Sequence, residues 1–274
     1  MIKYKMIVSD YDNTLCNKKK IVTPRTRAAI KQYIDNGGRF VVCTTRPYIG
    51  IADFAKDIGL KDEIIANQGA TVRNLADDSL IFQSLFTYEE AKEVLEFFYN
   101  KSVHMFLASD YAMSTKKDDF FAKMCIKIVN FPLKKTKSTL MEDCKNMEVA
   151  QIIIGSYFPI KVHAMIKSAQ NKFRDKYEIG LCDKYLLNIT KKGVSKGKAI
   201  EKIAQLHGIK KEEIIAFGDT LNDSSMFEFA GTGVAMGNAM KGLKQMATTV
   251  CADVENDGLA EFIEQNVLKI ECCK

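Results

Sequence analysis

The chain has 274 residues, is 47% apolar and carries a formal charge of +6, so it can bury a sizeable core but lacks the strong charge bias of a nucleic-acid-binding protein. Its length exceeds the roughly 100–150 residues of a usual single domain, so two domains are expected. No run approaches the roughly 20 apolar residues of a membrane helix, and Met1 to Val8 leads into Asp10 without a signal-type apolar stretch or cleavage site. A cytoplasmic protein without nucleic-acid or membrane partners, monomeric or weakly self-associating, is expected.

Met6-Ile7-Val8-Ser9 is a short apolar run ending in an acid, the pattern of a parallel strand buried on both faces. Thr23 before Pro24 is an N-cap followed by a first-turn proline, and the helix it opens stops at Gly37-Gly38. Phe40-Val41-Val42-Cys43 is the next strand, Pro47 is expected to open a helix running to about Gly59, and Ile64-Ile65-Ala66 is a third strand. This alternation implies an α/β fold with a doubly wound, parallel-sheet, Rossmann-like core. The rhythm breaks at a hairpin over Thr71 to Phe82 and at a capping box, Thr87 with Glu90, that starts a helix to Asn100. Mixed elements follow, including a strand over Val149 to Ile154 and a helix near Lys161 to Lys172. The α/β pattern resumes with a helix from Ser195 to Leu206, then the strands Ile214 to Phe217, Gly233 to Ala235 and Thr249 to Cys251. The expected organisation is a core of residues 1–83 and 186–274 with an inserted α+β cap domain over 84–185.

Asp10 and Asp12 lie on one loop where the first buried strand ends, the edge at which open α/β sheets bind ligands. Asp219 and Asp223 follow a second buried strand. Four such acids repel one another unless a cation or a shared proton intervenes, and oxygen-only ligands suit a hard ion such as magnesium. Thr44 ends the second strand and Lys196 begins a helix capped by Ser195; a hydroxyl, an ammonium and a helix N-terminus are three ways to hold a phosphate oxygen. Together these pieces describe phosphoryl transfer.

The motifs Asp10-Tyr11-Asp12-Asn13-Thr14, Thr44-Thr45-Arg46-Pro47, Gly193-Val194-Ser195-Lys196-Gly197, Gly218 to Asp223 and Val234 to Ala239 resemble, in order and spacing, the haloacid dehalogenase superfamily, specifically its Cof-type phosphatases with a large α/β cap. The resemblance implies that Asp10 is the nucleophile that forms an aspartyl-phosphate and a magnesium ligand. It implies that Asp12 is the general acid and base, with its pKa raised by neighbouring acids and its backbone carbonyl on the metal. Asp219 and Asp223 would complete the metal site. Thr44, Thr45 and Lys196 would bind the phosphoryl group, with Arg46, Asn67 and Asn222 as substrate contacts. Asn13 replaces a common glycine, which an asparagine tolerates because it enters the left-handed region readily. Asn67-Gln68-Gly69-Ala70 has one residue more than the family's Asn-Gly-Ala, leaving open whether Asn67 or Gln68 faces the substrate.

The expected function is therefore magnesium-dependent hydrolysis of a small phosphorylated metabolite, a sugar or cofactor phosphate. A phosphomutase on the same scaffold and a non-enzymatic aspartyl-phosphate switch are the alternatives. The remaining residues have plainer expectations. The eight cysteines contain no Cys-x-x-Cys pair and read as reduced, mostly buried groups, with Cys272 and Cys273 in a frayed tail. The lysines from Lys116 to Lys137 read as a solvated face. His104, His163 and His207 show no metal-ligand spacing, and Asn238 and Asp257 read as turn or cap residues.

Overall fold

The structure, a computed structural model, describes residues 2–116, 119–129, 133–135 and 139–269, of which 126–129 and 133–135 are described through their backbone alone. Cys272, Cys273 and part of the lysine-rich segment, including Lys117 and Lys137, lie outside the described residues.

In chain order the elements are β1 (Met6–Ser9), α1 (Pro24–Asp35), β2 (Arg39–Cys43), α2 (Ile49–Asp57), β3 (Glu63–Ala66), β4 (Thr71–Asn74), β5 (Leu80–Gln83), α3 (Tyr88–Tyr99), β6 (His104–Ala108), β7 (Met113–Thr115), α4 (Phe120–Val129) and β8 (Leu133–Lys135). They continue with α5 (Leu140–Asn146), β9 (Gln151–Gly155), α6 (Pro159–Phe173), β10 (Tyr177–Asp183), β11 (Leu186–Lys191), α7 (Lys196–Leu206), β12 (Ile214–Gly218), α8 (Ser224–Phe229), β13 (Thr232–Ala235), α9 (Lys241–Met246), β14 (Thr249–Val250) and α10 (Gly258–Phe262).

The first sheet has the order β14-β13-β12-β1-β2-β3-β4-β5. It is parallel from β14 to β3, and the β4–β5 hairpin closes one edge antiparallel. β1, β2, β3 and β12 are buried almost throughout, as strands covered on both faces must be. Strand order runs outward in both directions from the β1–β12 pair, so the loops after those two strands diverge at a switch point and leave a crevice between them.

The second sheet, β10-β11-β9-β6-β7-β8, is antiparallel apart from β7 with β8. Its helices α3 and α6 cover one face, where Phe98, Ile152, Ile154, Phe173, Leu187 and Ile189 form a core of their own. The opposite face, carrying Gln151 and Ile153, looks toward the first sheet's crevice. The fold is thus the expected parallel core with a separate cap.

Local chemistry explains most element ends. The Thr23 hydroxyl accepts from Thr26 N at 3.1 Å ahead of Pro24, and the Thr87–Glu90 capping box makes both of its bonds. Two sequence expectations shift. The second helix begins at Ile49 rather than Pro47, because the Arg46 carbonyl accepts from Asn67 N at 2.9 Å and holds the preceding turn out of the helix. β11 follows residue 185 but pairs with β9 and β10 in the second sheet. Its Leu-Leu-Asn-Ile run looks like a core strand, yet Leu187 and Ile189 are buried in the cap.

Candidate active site

Asp10 leaves β1 directly into a tight turn: Leu15 N donates to Asp10 O at 3.2 Å and Cys16 N to Tyr11 O at 3.0 Å. Asn13 takes the left-handed conformation the turn requires, at φ 59°. Across the switch point, the Asp223 carboxylate accepts from Asp219 N and Thr220 N, each at 3.0 Å, and folds the second acidic loop over itself. Gly218 is dictated by that fold, since a Cβ there would lie 2.6 Å from the Asp223 Cβ.

α7 delivers Lys196 between the two loops. The Ser195 hydroxyl caps this helix by accepting from Lys198 N at 3.2 Å. The buried Lys196 ammonium donates to Asp10 Oδ1 at 2.5 Å and to Asp223 Oδ1 at 2.7 Å. Carboxylate oxygens of Asp10, Asp219 and Asp223 all lie within 4.8 Å of one another. Burial raises the Asp10 carboxyl well above its usual range against the pull of Lys196, with repulsion from Asp223, Asp219 and Asp12 adding to it. Burial, with Asp223 next, lifts Asp219 to about 7. Burial works against the Lys196 charge, but Asp10 and Asp223 outweigh it and hold the ammonium above the ordinary lysine range. One ammonium thus serves three crowded acids.

Asp12 occupies different surroundings. Arg46 grips its carboxylate with Nε at 2.8 Å from Oδ2 and Nη2 at 2.9 Å from Oδ1, and the Lys20 ammonium makes a further bond. Burial alone would raise the group, but the Arg46 hydrogen bonds and charge, with Lys20, bring it below the usual carboxylate range. This corrects the expectation of a raised pKa: the near neighbours that decide are two cations rather than the other acids. Asp12 also stands apart from the three-acid cluster.

Thr44 is buried at the end of β2, with its hydroxyl accepting from Arg46 N at 3.2 Å. Asp10, Asp12, Lys20, Thr45, Arg46, Asp219 and Asn222 line a cavity of about 220 Å³ whose other wall is the cap, including Met113, Gln151, Ile153, Asp183 and Leu186. A larger cavity of about 460 Å³ lies beyond Asn222 and Gln68, but no carboxylate of the acidic cluster lines it. The smaller one is the candidate site because the acids open into it. Asn67 does not line it; its amide donates to Asp110 Oδ1 at 2.8 Å and accepts from Gln151 Nε2 at 3.0 Å. Gln68 faces the larger cavity.

Sequence reasoning missed Lys20 and Gln151. Lys20 lies in a loop without periodicity and reaches Asp12 from a left-handed turn, φ 62°. Gln151, a polar residue opening the apolar run Gln-Ile-Ile-Ile, was the one available signal. The histidines have protein partners: His104 Nε2 is 2.6 Å from Asp119, His207 Nε2 2.7 Å from Glu63, and His163 Nδ1 3.0 Å from Pro159 O. Asn238 donates to Asn13 O at 2.8 Å, and Asp257 accepts from the Thr23 hydroxyl at 2.5 Å.

A parallel core with acidic loops at its switch point, closed by a cap, defines a capped α/β protein with its site between the two layers. The chain matches the haloacid dehalogenase-like hydrolase family over residues 7–263. It is 28% identical over 269 residues to a 5-amino-6-(5-phospho-D-ribitylamino)uracil phosphatase of Bacillus subtilis, YitU, covering 95% of this chain and 96% of the relative. It is 25% identical over 269 residues to the pyridoxal phosphate phosphatase of Escherichia coli, covering 96% and 99% respectively. A haloacid dehalogenase-like hydrolase from Bacteroides thetaiotaomicron superposes with a TM-score of 0.85 at 25% identity, over 96% of this chain and 99% of that one. The protein belongs to the haloacid dehalogenase-like hydrolases, among their Cof-type phosphatases.

Proposed function

We propose that the protein hydrolyses small phosphate monoesters through an aspartyl-phosphate on Asp10, with magnesium held by Asp10, Asp219 and Asp223. The observation that carries this reading is the buried cluster of three carboxylates, two of which, Asp10 and Asp219, open into a cap-covered cavity. Its donors are all hard oxygens, and with all three acids ionised Lys196 offsets only one of their charges, so the residues fit a small divalent cation. When bound, that cation supplies charge neutralisation and polarises a phosphoryl oxygen.

The Asp10 carboxylate attacks phosphorus and the leaving oxygen departs with a proton from Asp12. In the second half of the cycle, water attacks the aspartyl-phosphate while the Asp12 carboxylate takes its proton. Lys196 and the Thr44 hydroxyl hold phosphoryl oxygens, and Thr45, Arg46 and Asn222 border the leaving group. The Arg46 and Lys20 contacts favour ionised Asp12, the form needed for the water step. Leaving-group departure needs the protonated form, so poor leaving groups are expected to be limited by the first half. The 220 Å³ cavity and the relatives' named substrates support a compact cofactor or sugar-derived phosphate.

The test is phosphate release from a panel of phosphorylated metabolites, with magnesium and with chelator, alongside Asp10→Asn. Turnover should need the metal and disappear in the variant. Undiminished release in chelator, or from Asp10→Asn, overturns the reading.

A further inference from the structure

The turn Asn67-Gln68 lies against the Thr44–Arg46 loop and carries two consecutive non-glycine residues in the left-handed region, at φ 49° and 61°. Two side-chain-bearing residues in succession in this region are uncommon and persist where the surroundings hold them. What holds this turn comes from both layers. On the core side, Asn67 N donates to Arg46 O at 2.9 Å and Gln68 N to Thr44 O at 3.1 Å. The turn therefore grips two carbonyls of the Thr44–Arg46 loop. The third carbonyl of that loop, Thr45 O, accepts from Gln151 Nε2 at 2.9 Å, and Gln151 is the first residue of cap strand β9. The same Gln151 nitrogen donates to Asn67 Oδ1.

The other end of the Asn67 amide donates to Asp110, on the cap's β6–β7 turn. Asp110 also accepts from the Thr71 hydroxyl at 2.6 Å and from Arg73 Nε at 2.5 Å, and its backbone carbonyl accepts from Ile49 N at 3.0 Å. Asn67, Thr71, Asp110 and Gln151 are all at least nine-tenths buried. A satisfied buried network of this kind is specific in geometry, because losing one partner strands the others without water. It joins two points of the cap to one core turn. From there it continues through the Thr44–Arg46 loop to the Arg46 guanidinium that sets the Asp12 carboxylate.

We propose that Gln151 and Asp110 are positioning residues: the docked cap, acting through Asn67, sets the Thr44–Arg46 loop and through Arg46 the orientation of Asp12. Cap docking and assembly of the catalytic loop are then one event, so that a chain with its cap displaced is a poor catalyst as well as an unselective one. The kinetic part rests on the phosphatase reading above, whereas the structural coupling does not.

Gln151→Leu keeps the side chain's bulk and removes both of its donated bonds, and Gln151→Glu keeps its shape without the donor. Both should lower kcat on a small activated aryl phosphate by about tenfold or more with KM moving less than about twofold, as misplacement of a catalytic group does. Asp110→Ala should do the same, and Asp110→Asn, which retains an acceptor for Asn67 and Thr71, should recover part of the loss. Because Asn67 joins the two sites, Gln151→Leu combined with Asp110→Ala should cost far less than the product of the single losses. Independently of turnover, amide hydrogen exchange at Asn67 and Gln68 should speed up by about tenfold or more in Gln151→Leu while β1 and β12 stay protected.

A raised KM with unchanged kcat would make Gln151 a substrate contact and overturn the proposal, as would multiplicative losses. Unchanged exchange at Asn67 and Gln68 in Gln151→Leu would overturn the coupling even if no ester is turned over, whereas faster exchange in that variant together with a wild-type chain that hydrolyses nothing would indict the phosphatase reading alone.

Discussion

Asp10 and Asp12 sit two residues apart and receive opposite environments, which separates their expected roles. Asp10 is buried among acids and touched by Lys196, so Asp10→Asn is expected to reduce phosphate release to background and to leave no phosphorylated protein by mass spectrometry. Asp12 is held by Arg46 and Lys20, and Asp12→Asn should slow turnover of alkyl phosphates by about 10²–10⁴-fold. An activated aryl ester needs no proton for departure and should suffer less in its first step, so phosphorylated Asp10 should accumulate. Label trapped on Asp219 instead would contradict both roles. Away from the site, Glu63 is nearly buried under Arg39 and His207. Burial would raise its carboxyl, but the His207 hydrogen bond and Arg39 bring it below its ordinary 4.5. A carboxyl depressed by folding stabilises the native state above its unfolded pKa and loses that contribution as pH falls through the lower, native value. Glu63→Gln should therefore be less stable at neutral pH, and its deficit should shrink as acid titration proceeds below 4.5; a constant deficit across urea melts from pH 7 to pH 3 would refute this.

Secondary-structure elements show how much of this was legible beforehand. Helix starts were readable where a side chain caps its own helix, as Thr23, Thr87 and Ser195 do. The acids at the ends of β1 and β12 were readable because apolar runs bounded them. The Arg46 turn, β11 and Gln151 were not, since their placement depends on partners far along the chain, Gln151 meeting Thr45 across 106 positions. α7 offers two tests of how an element delivers its residue. Ser195→Ala removes the cap that accepts from Lys198 N and should cost about 1 kcal/mol, read as a lowered urea midpoint. Gly197→Ala should cost more, because its Cβ would lie 2.0 Å from the Ser225 carbonyl oxygen where α7 crosses α8. Overpacking of this kind costs about 1–3 kcal/mol. Since relief requires α7 to shift and Lys196 is the residue immediately before Gly197, activity should fall further than stability alone accounts for. Equal melts for Gly197→Ala and wild type would show that the crossing has slack.

For the molecule as a whole, the question is what the cap contributes beyond closing the cavity. The chain leaves the core after β5 and returns before α7. Leu85 and Val194, one on each crossing, pack into a single small cluster with Ala70 and Ala150, so the two crossings run side by side. Phe86 already belongs to the cap's core and β11 is paired within the cap sheet. We therefore place the excisable unit at residues 86–191, which ends later than the sequence suggested. Joining 85 to 192 by a short Gly/Ser linker leaves Asp10, Asp12, Lys196, Asp219 and Asp223 on core elements. It removes Met113, Ile153, Asp183 and Leu186 from the cavity wall, and Gln151 and Asp110 from the loop behind it. If the cap only selected substrates, the excised chain would turn over an activated aryl phosphate as fast as the parent and merely lose its preferences. With the cap also setting the catalytic loop, kcat on that small ester should fall by about tenfold or more, while kcat/KM values across metabolite phosphates converge. Magnesium affinity should stay close to the parent's, because every proposed ligand remains on the core. Retention of the parent's substrate ranking after excision, in a chain whose circular dichroism and cooperative melt show a folded core, would mean that specificity resides in the core loops.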